Sequence, residues 1–166
     1  MNKILLVLVL FLTPAAFAED HSSCPYHSGH HAQVDQRGDQ VMGFDHTRTT
    51  HHLLLKVDGG VIVADALDPK DQSSIEQIRK HFVEIAALFS RADFSMPHEI
   101  HGRIPPGVPE MTELKDRISY KFQERENGGE VRITTKDEQA LKAIHAFLRF
   151  QIEDHRTGDP ATVSED

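Results

Sequence analysis

Twelve histidines beside one cysteine and no tryptophan make imidazole the side chain through which this 166-residue chain could do chemistry. A neutral ring nitrogen is a good ligand for zinc or copper, and the ring also takes up a proton near neutral pH. Clustered histidines therefore point to metal binding or to acid–base work. The first cluster, His21, Cys24, His27, His30 and His31, lies near the N-terminus. Imidazole with thiolate suits copper, zinc or nickel, but the spacing contains no second Cys pair and fits no closed structural zinc pattern. The segment reads as a weak metal-loading arm.

The second and third clusters are His46, His51 and His52, then His98 and His101. His51, His52 and His101 are the expected ligands of a copper or zinc site, with His46 and His98 as supplements. Such a site needs metal–nitrogen distances of about 2.0–2.1 Å and hydrogen-bond acceptors behind the rings to fix their tautomers. Asp45, Asp65 and Glu99 are the nearest candidates in sequence. Neighbouring strand residues face opposite sides, so His51 and His52 cannot both point inward from one strand, and the sequence leaves open which does. His98 and His101, at i and i+3, come together only if the segment is helical, which Pro97 in a first turn permits.

Two other uses of these residues stay open. Arg48, Thr49 and Arg103, with the proline-rich stretch 105–109, could hold a small anion or a partner protein without any metal. An enzyme with His52 or His101 as general base would also need a pocket and a positioned acid. The chain has no Gly-x-Ser-x-Gly elbow, no His-Glu-x-x-His, no phosphate-cradling loop and no Cys-x-x-Cys-His haem attachment. His81 and His145 read as packing residues on helix faces, and His155 as a helix C-terminal partner favoured by the dipole.

These residues must be positioned by one ordinary domain. Residues 1–18 read as a secretory signal peptide: Lys3, an apolar run from Ile4 to Leu12, and Ala16-Phe17-Ala18 before Glu19. That implies a periplasmic or secreted protein, and the run is too short and interrupted for a stable membrane span. Residues 19–43 lack a hydrophobic period and are expected to form a flexible arm, residues 44–159 the domain, and 160–166 a disordered tail. A net charge of -8 argues against nucleic acid as a partner.

Within the domain, apolar stretches flank Asp58-Gly59-Gly60, and alternating residues flank Asn127-Gly128-Gly129, so each predicts a β-hairpin. Each hairpin is followed by a helix. Ile75, Ile78, Phe82, Ile85 and Phe89 form one apolar stripe, and Leu141, Ile144, Leu148 and Ile152 the other. Asp71 or Ser73 would cap the first helix, and Lys136-Asp137 opens the second. The expected fold is α+β: a strand-strand-helix unit used twice, giving a four-stranded antiparallel sheet with two helices on one face. A long crossover, 91–117, joins the units.

Three stretches carry a resemblance: Thr49–Leu53, Ile100–Pro109 and Phe147–Asp159. They resemble a family of small exported bacterial proteins, over most of residues 44–159. Some members carry an aspartate carbamoyltransferase label. Thr47-Arg48-Thr49-Thr50 is similar to part of the phosphate loop of those transcarbamoylases, but this covers four residues and no second transcarbamoylase motif is present. What the family resemblance implies is emphasis on His51, His52 and His101.

Overall fold

The computed structural model describes residues 25–164, with side chains from 29. The proposed signal peptide, His21 and Cys24 lie outside the described residues, as does the side chain of His27. The first hairpin is β1 (Thr49–Lys56) and β2 (Gly59–Ala66), and the second is β3 (Ile118–Arg125) and β4 (Gly128–Thr135). They join through β2 and β4 into one antiparallel sheet of order β1-β2-β4-β3. Strand alternation places Leu53, Leu55, Ile62, Ala64, Val131 and Ile133 on one face, and all are buried.

That face is covered by α2 (Gln72–Ser90) and α5 (Glu138–His155). Asp71 caps α2 by accepting from the Ser74 amide, and Asp137 caps α5 by accepting from Gln139 and Ala140. The apolar stripes expected on both helices are buried, apart from Leu141 at the half-buried margin of α5. The twice-used strand-strand-helix unit is the architecture of the molecule.

The crossover is not merely a stiff loop. It holds α3 (Ser95–His101) and α4 (Val108–Glu113), and α4 packs on α5. Gly107 precedes α4 with φ 84°, pressed against the Ala143 carbonyl of α5.

Two expectations about the ends need correction. Residues 25–42 of the supposed flexible arm form a helix, α1 (Pro25–Met42), packed on α3 and α5. Its only fully buried apolar side chain among the described residues is Val34, and polar contacts do the rest. Arg37 Nε donates to the Ile100 carbonyl (2.6 Å), and Arg156 pairs with Asp35 (3.2 Å). Helix formation without an apolar stripe is explained by this docking, since tertiary contacts outweigh weak intrinsic preference. At the other end, the expected disordered tail returns along β1: the Ser164 amide donates to the Leu55 carbonyl (3.0 Å), and Lys56 and Ser164 form a parallel bridge.

Candidate histidine site

The last two turns of α5 organise the site, because residues at i, i+3 and i+4 share one helix face. That spacing presents Gln151, Asp154 and His155 toward α1, α3 and β1. Asp154 is buried and its carboxylate has three cationic or imidazole neighbours. His101 Nδ1 donates to Oδ2 (2.5 Å), His30 Nε2 donates to Oδ1 (2.9 Å), and the Arg103 guanidinium lies 3.6 Å from Oδ1. His31 Nδ1 donates to the Asp154 backbone carbonyl (3.2 Å). Burial raises the Asp154 carboxyl, but the bonds from His101 and His30 outweigh it and leave its pKa below the usual carboxylate value.

His101, at the end of α3, is 2% exposed. Its second nitrogen lies 2.8 Å from the Gln151 side-chain amide, so both nitrogens face polar groups of the protein. Desolvation, larger than the opposing pull of Asp154 and Gln151, lowers its pKa. The ring packs edge-on against Phe150 (4.9 Å between centroids) and against His155 (4.8 Å). Arg103 lies 4.6 Å above the Phe150 ring.

His155 continues the series. Its ring is 5.2 Å from that of His51, which β1 turns toward the core face beside Leu53 and Leu55. No ring nitrogen of His51, His155 or His81 has a hydrogen-bond partner among the described residues. Desolvation drives the pKa of His51 down to about 4, only partly offset by Asp159. Burial, with His51 and His101 adding to it, holds His155 well below the ordinary imidazole value. His81, on α2, is buried against Phe44 and Phe82 and is lowered to about 4 by desolvation, with a smaller push from His51. All three rings are neutral at neutral pH, with free lone pairs.

These rings stand between two recesses. One is a groove of about 320 Å³ whose walls include Asp35, Thr49, Thr50 and Thr157. The other is a smaller recess of about 50 Å³ reaching Phe82, Ile85 and Phe147, with His81 and Gln151 in its wall. Met42, His51 and His155 belong to both.

The expected ligand set comes together only in part. His51 is in the cluster as a free imidazole, and His101 joins it as a support whose nitrogens are occupied. His52 faces the other side of β1, where it donates to Asp159 (2.9 Å); this settles which of the pair turns inward. His46 donates to Asp39 (2.9 Å) in an exposed group with Asp45, and both His46 and His52 also line the groove that His51 and His155 border. His98 stays exposed because α3 buries Pro97, Ile100 and His101 instead, so helical spacing did not bring it to the site. The tautomer-fixing carboxylate is Asp154, not Asp45, Asp65 or Glu99. Asp45 bonds Thr47, and Asp65 pairs with Arg125.

Of the arm residues, His30 and His31 dock on Asp154 as part of the fold. The anion-binding set is dispersed among partners: Arg48 pairs with Asp71 (2.7 Å), Arg103 with Asp154, and the Thr49 hydroxyl donates to the Asp45 carbonyl (3.1 Å). His145, expected to pack, also ties the first hairpin turn by donating to the carbonyls of Lys56 (2.9 Å) and Gly59 (3.0 Å).

Sequence reasoning missed Gln151, Asp154, His81 and His155 as site residues. A signal was present for His155: with Leu148, Gln151 and Ile152 it completes an i, i+3, i+4, i+7 stripe that must face the core. The fold and site define an α+β protein with desolvated imidazoles at the junction of sheet and helices. Comparison with family models, curated proteins and solved structures finds no match. Among the described residues no helix is long and apolar enough to cross a membrane.

Proposed function

We propose that this is an exported protein that holds a copper or zinc ion between His51 and His155. The observation that carries the reading is the spacing of two partnerless imidazoles, 5.2 Å between ring centroids. Two rings bound to one tetrahedral ion at about 2.0–2.1 Å have centroids about 5 Å apart. Desolvation keeps both rings unprotonated, so no proton competes with the ion near neutral pH. The larger groove supplies an approach, and His101, held by Asp154 and Gln151, braces the His155 ring from behind as a supporting partner. The leader-like first 18 residues support export.

Protein purified without a histidine tag, stripped of metal and titrated with Zn(II) or Cu(I) against a chromogenic chelator tests this. One ion per chain is expected, with His51→Ala and His155→Ala each weakening affinity at least about hundredfold, of the order expected when one ligand is removed. Absence of stoichiometric binding, or affinity left at the parent level by either variant, defeats the proposal.

A further inference from the structure

An ion held by His51 and His155 has no third protein ligand. Among the described residues, the one group of three or more His, Cys, Asp or Glu whose ligand atoms all lie within 4.8 Å of one another is Asp39, Asp45 and His46, which contains neither ring. Closed zinc sites take four protein ligands and open ones three, so two imidazoles leave a tetrahedral ion two adjacent positions to fill from outside. Both rings border the groove of about 320 Å³ and the recess of about 50 Å³. At roughly 10–15 Å³ for each water-sized sphere, the groove has room for about twenty-five and the recess for about four. A ligand larger than a water or two therefore reaches the ion from the groove.

The groove wall selects the chemistry of that ligand. Besides the two ion-binding rings it carries His46 and His52, whose Nδ1 atoms lie 2.9 Å from the carboxylates of Asp39 and Asp159. An ionised carboxylate only accepts, so each Nδ1 carries the proton, and in the neutral ring Nε2 keeps its lone pair. Neither Nε2 has a hydrogen-bond partner among the described residues. The hydroxyls of Thr49 and Thr50 already donate to the carbonyls of Asp45 and Asp65. The one charged side chain in the wall is Asp35, again an acceptor, with no lysine or arginine beside it. Acceptors predominate, so a chelator offering two bare oxygens would meet like with like. A coordinated primary amine still carries N–H donors, and a carboxylate oxygen on the same molecule offsets part of the ion's charge.

We infer that the groove admits a free α-amino acid, which completes the ion's coordination through its amine nitrogen and one carboxylate oxygen and turns its N–H groups toward the acceptor wall of His46 and His52. This rests on the ion lying between His51 and His155, and it makes the cargo a metal–amino acid complex rather than a bare ion. On binding, the ammonium proton passes to solvent, two waters leave the ion, and the new nitrogen and oxygen bonds close a five-membered ring. The oxidation state of the metal does not change.

The test uses the full-length chain loaded with one Zn(II), with glycine as probe and N,N-dimethylglycine, which closes the same ring without N–H groups, as control. Amide-resolved NMR follows Thr50 and Thr157 in the groove wall, and filtration measures the zinc that stays with the protein. Saturable shifts are expected with glycine while zinc remains at one per chain, and none in zinc-free protein. N,N-dimethylglycine binds at least about tenfold more weakly once each compound is scaled by its affinity for aqueous zinc, the factor that corresponds to one net hydrogen bond of about 1.4 kcal/mol. The double variant His46→Ala, His52→Ala loses that preference, and the dispersion of its spectrum reports whether it folds. Retained zinc with no response to glycine, equal affinity for the two compounds, glycine binding without zinc, or zinc stripped by glycine overturns the inference and leaves the ion site standing. Failure to take up zinc before any glycine is added defeats the ion reading, and this inference with it.

Discussion

The carboxylate of Asp154 lies 2.5 Å from the ring of His101 and so ties the final turn of α5 to the final turn of α3. The same carboxylate receives His30 from α1, so three helices meet on one buried negative charge. Asp154→Ala removes the acceptor of His101 Nδ1 and of His30 Nε2. A loss of about 2–4 kcal/mol in urea denaturation is expected, the range for breaking a buried hydrogen-bonded charge. Hydrogen exchange across 29–42 rises at the same time; unchanged protection there would show that α1 docks by other means.

Acid sensitivity follows from the buried neutral rings. His81 has a folded pKa of about 4 against an ordinary value of 6.5. Between those values the unfolded chain binds a proton that the native ring refuses, so stability is complete above pH 6.5 and falls as pH drops toward 4. For His81 the loss reaches about 3 kcal/mol, because each tenfold difference in proton affinity between the two states is worth about 1.4 kcal/mol. Below pH 4 this group adds no further change. His81→Phe removes that share, and denaturation at pH 7 and pH 4.5 should show a shallower decline than in the parent. An identical decline would contradict the assignment of a depressed pKa to His81.

His52 serves as the internal control for ion binding. Its Nδ1 bonds Asp159, whose other oxygen accepts from the Leu53 amide (2.9 Å). His52→Ala should leave zinc or copper affinity within about threefold, as for a residue outside the ligand set, while protection of residues 158–164 from hydrogen exchange decreases. A large loss of affinity would return His52 to the ligand set.

Gly107 is constrained twice: its φ of 84° lies in the left-handed region, and a Cβ there would overlap the Ala143 carbonyl. Gly107→Ala should lower stability by more than about 2 kcal/mol, since left-handed strain and a backbone clash act together. Thermal unfolding measures it. A drop under about 0.5 kcal/mol, typical of ordinary surface substitutions, would mean that α4 shifts on α5 at little cost.

The hairpins and the α2 and α5 stripes were legible because their periods and turn residues agree with where the elements bury their side chains. Helix α1 was not, because Val34 alone among its described apolar side chains is fully buried and the partners of His30, Asp35 and Arg37 lie more than sixty residues away, as Arg37 on Ile100 shows. The site was half legible. Period-two alternation marked His51 and His52 as opposites but carried no sign of which side was inner; the Asp159 contact across the chain decides it. His81 lies beside Ile78 and Phe82 in sequence, so its helix face announced packing, and only the approach of β1 from the other layer makes it part of a polar cluster. Asp154 offered no signal until α1 and α3 were seen to converge on it.

The return of the C-terminal segment along β1 has a bearing on self-association. An outer strand with open amides and carbonyls is a template on which another chain can add. Here the Leu53 amide is taken by Asp159 and the Leu55 carbonyl by Ser164, while the opposite border, β3, carries Lys121, Glu124 and Arg125. Asp159 and Ser164 therefore cover part of this border, and removing residues 159–164 is expected to leave the Leu53 amide and the Leu55 carbonyl open to another chain.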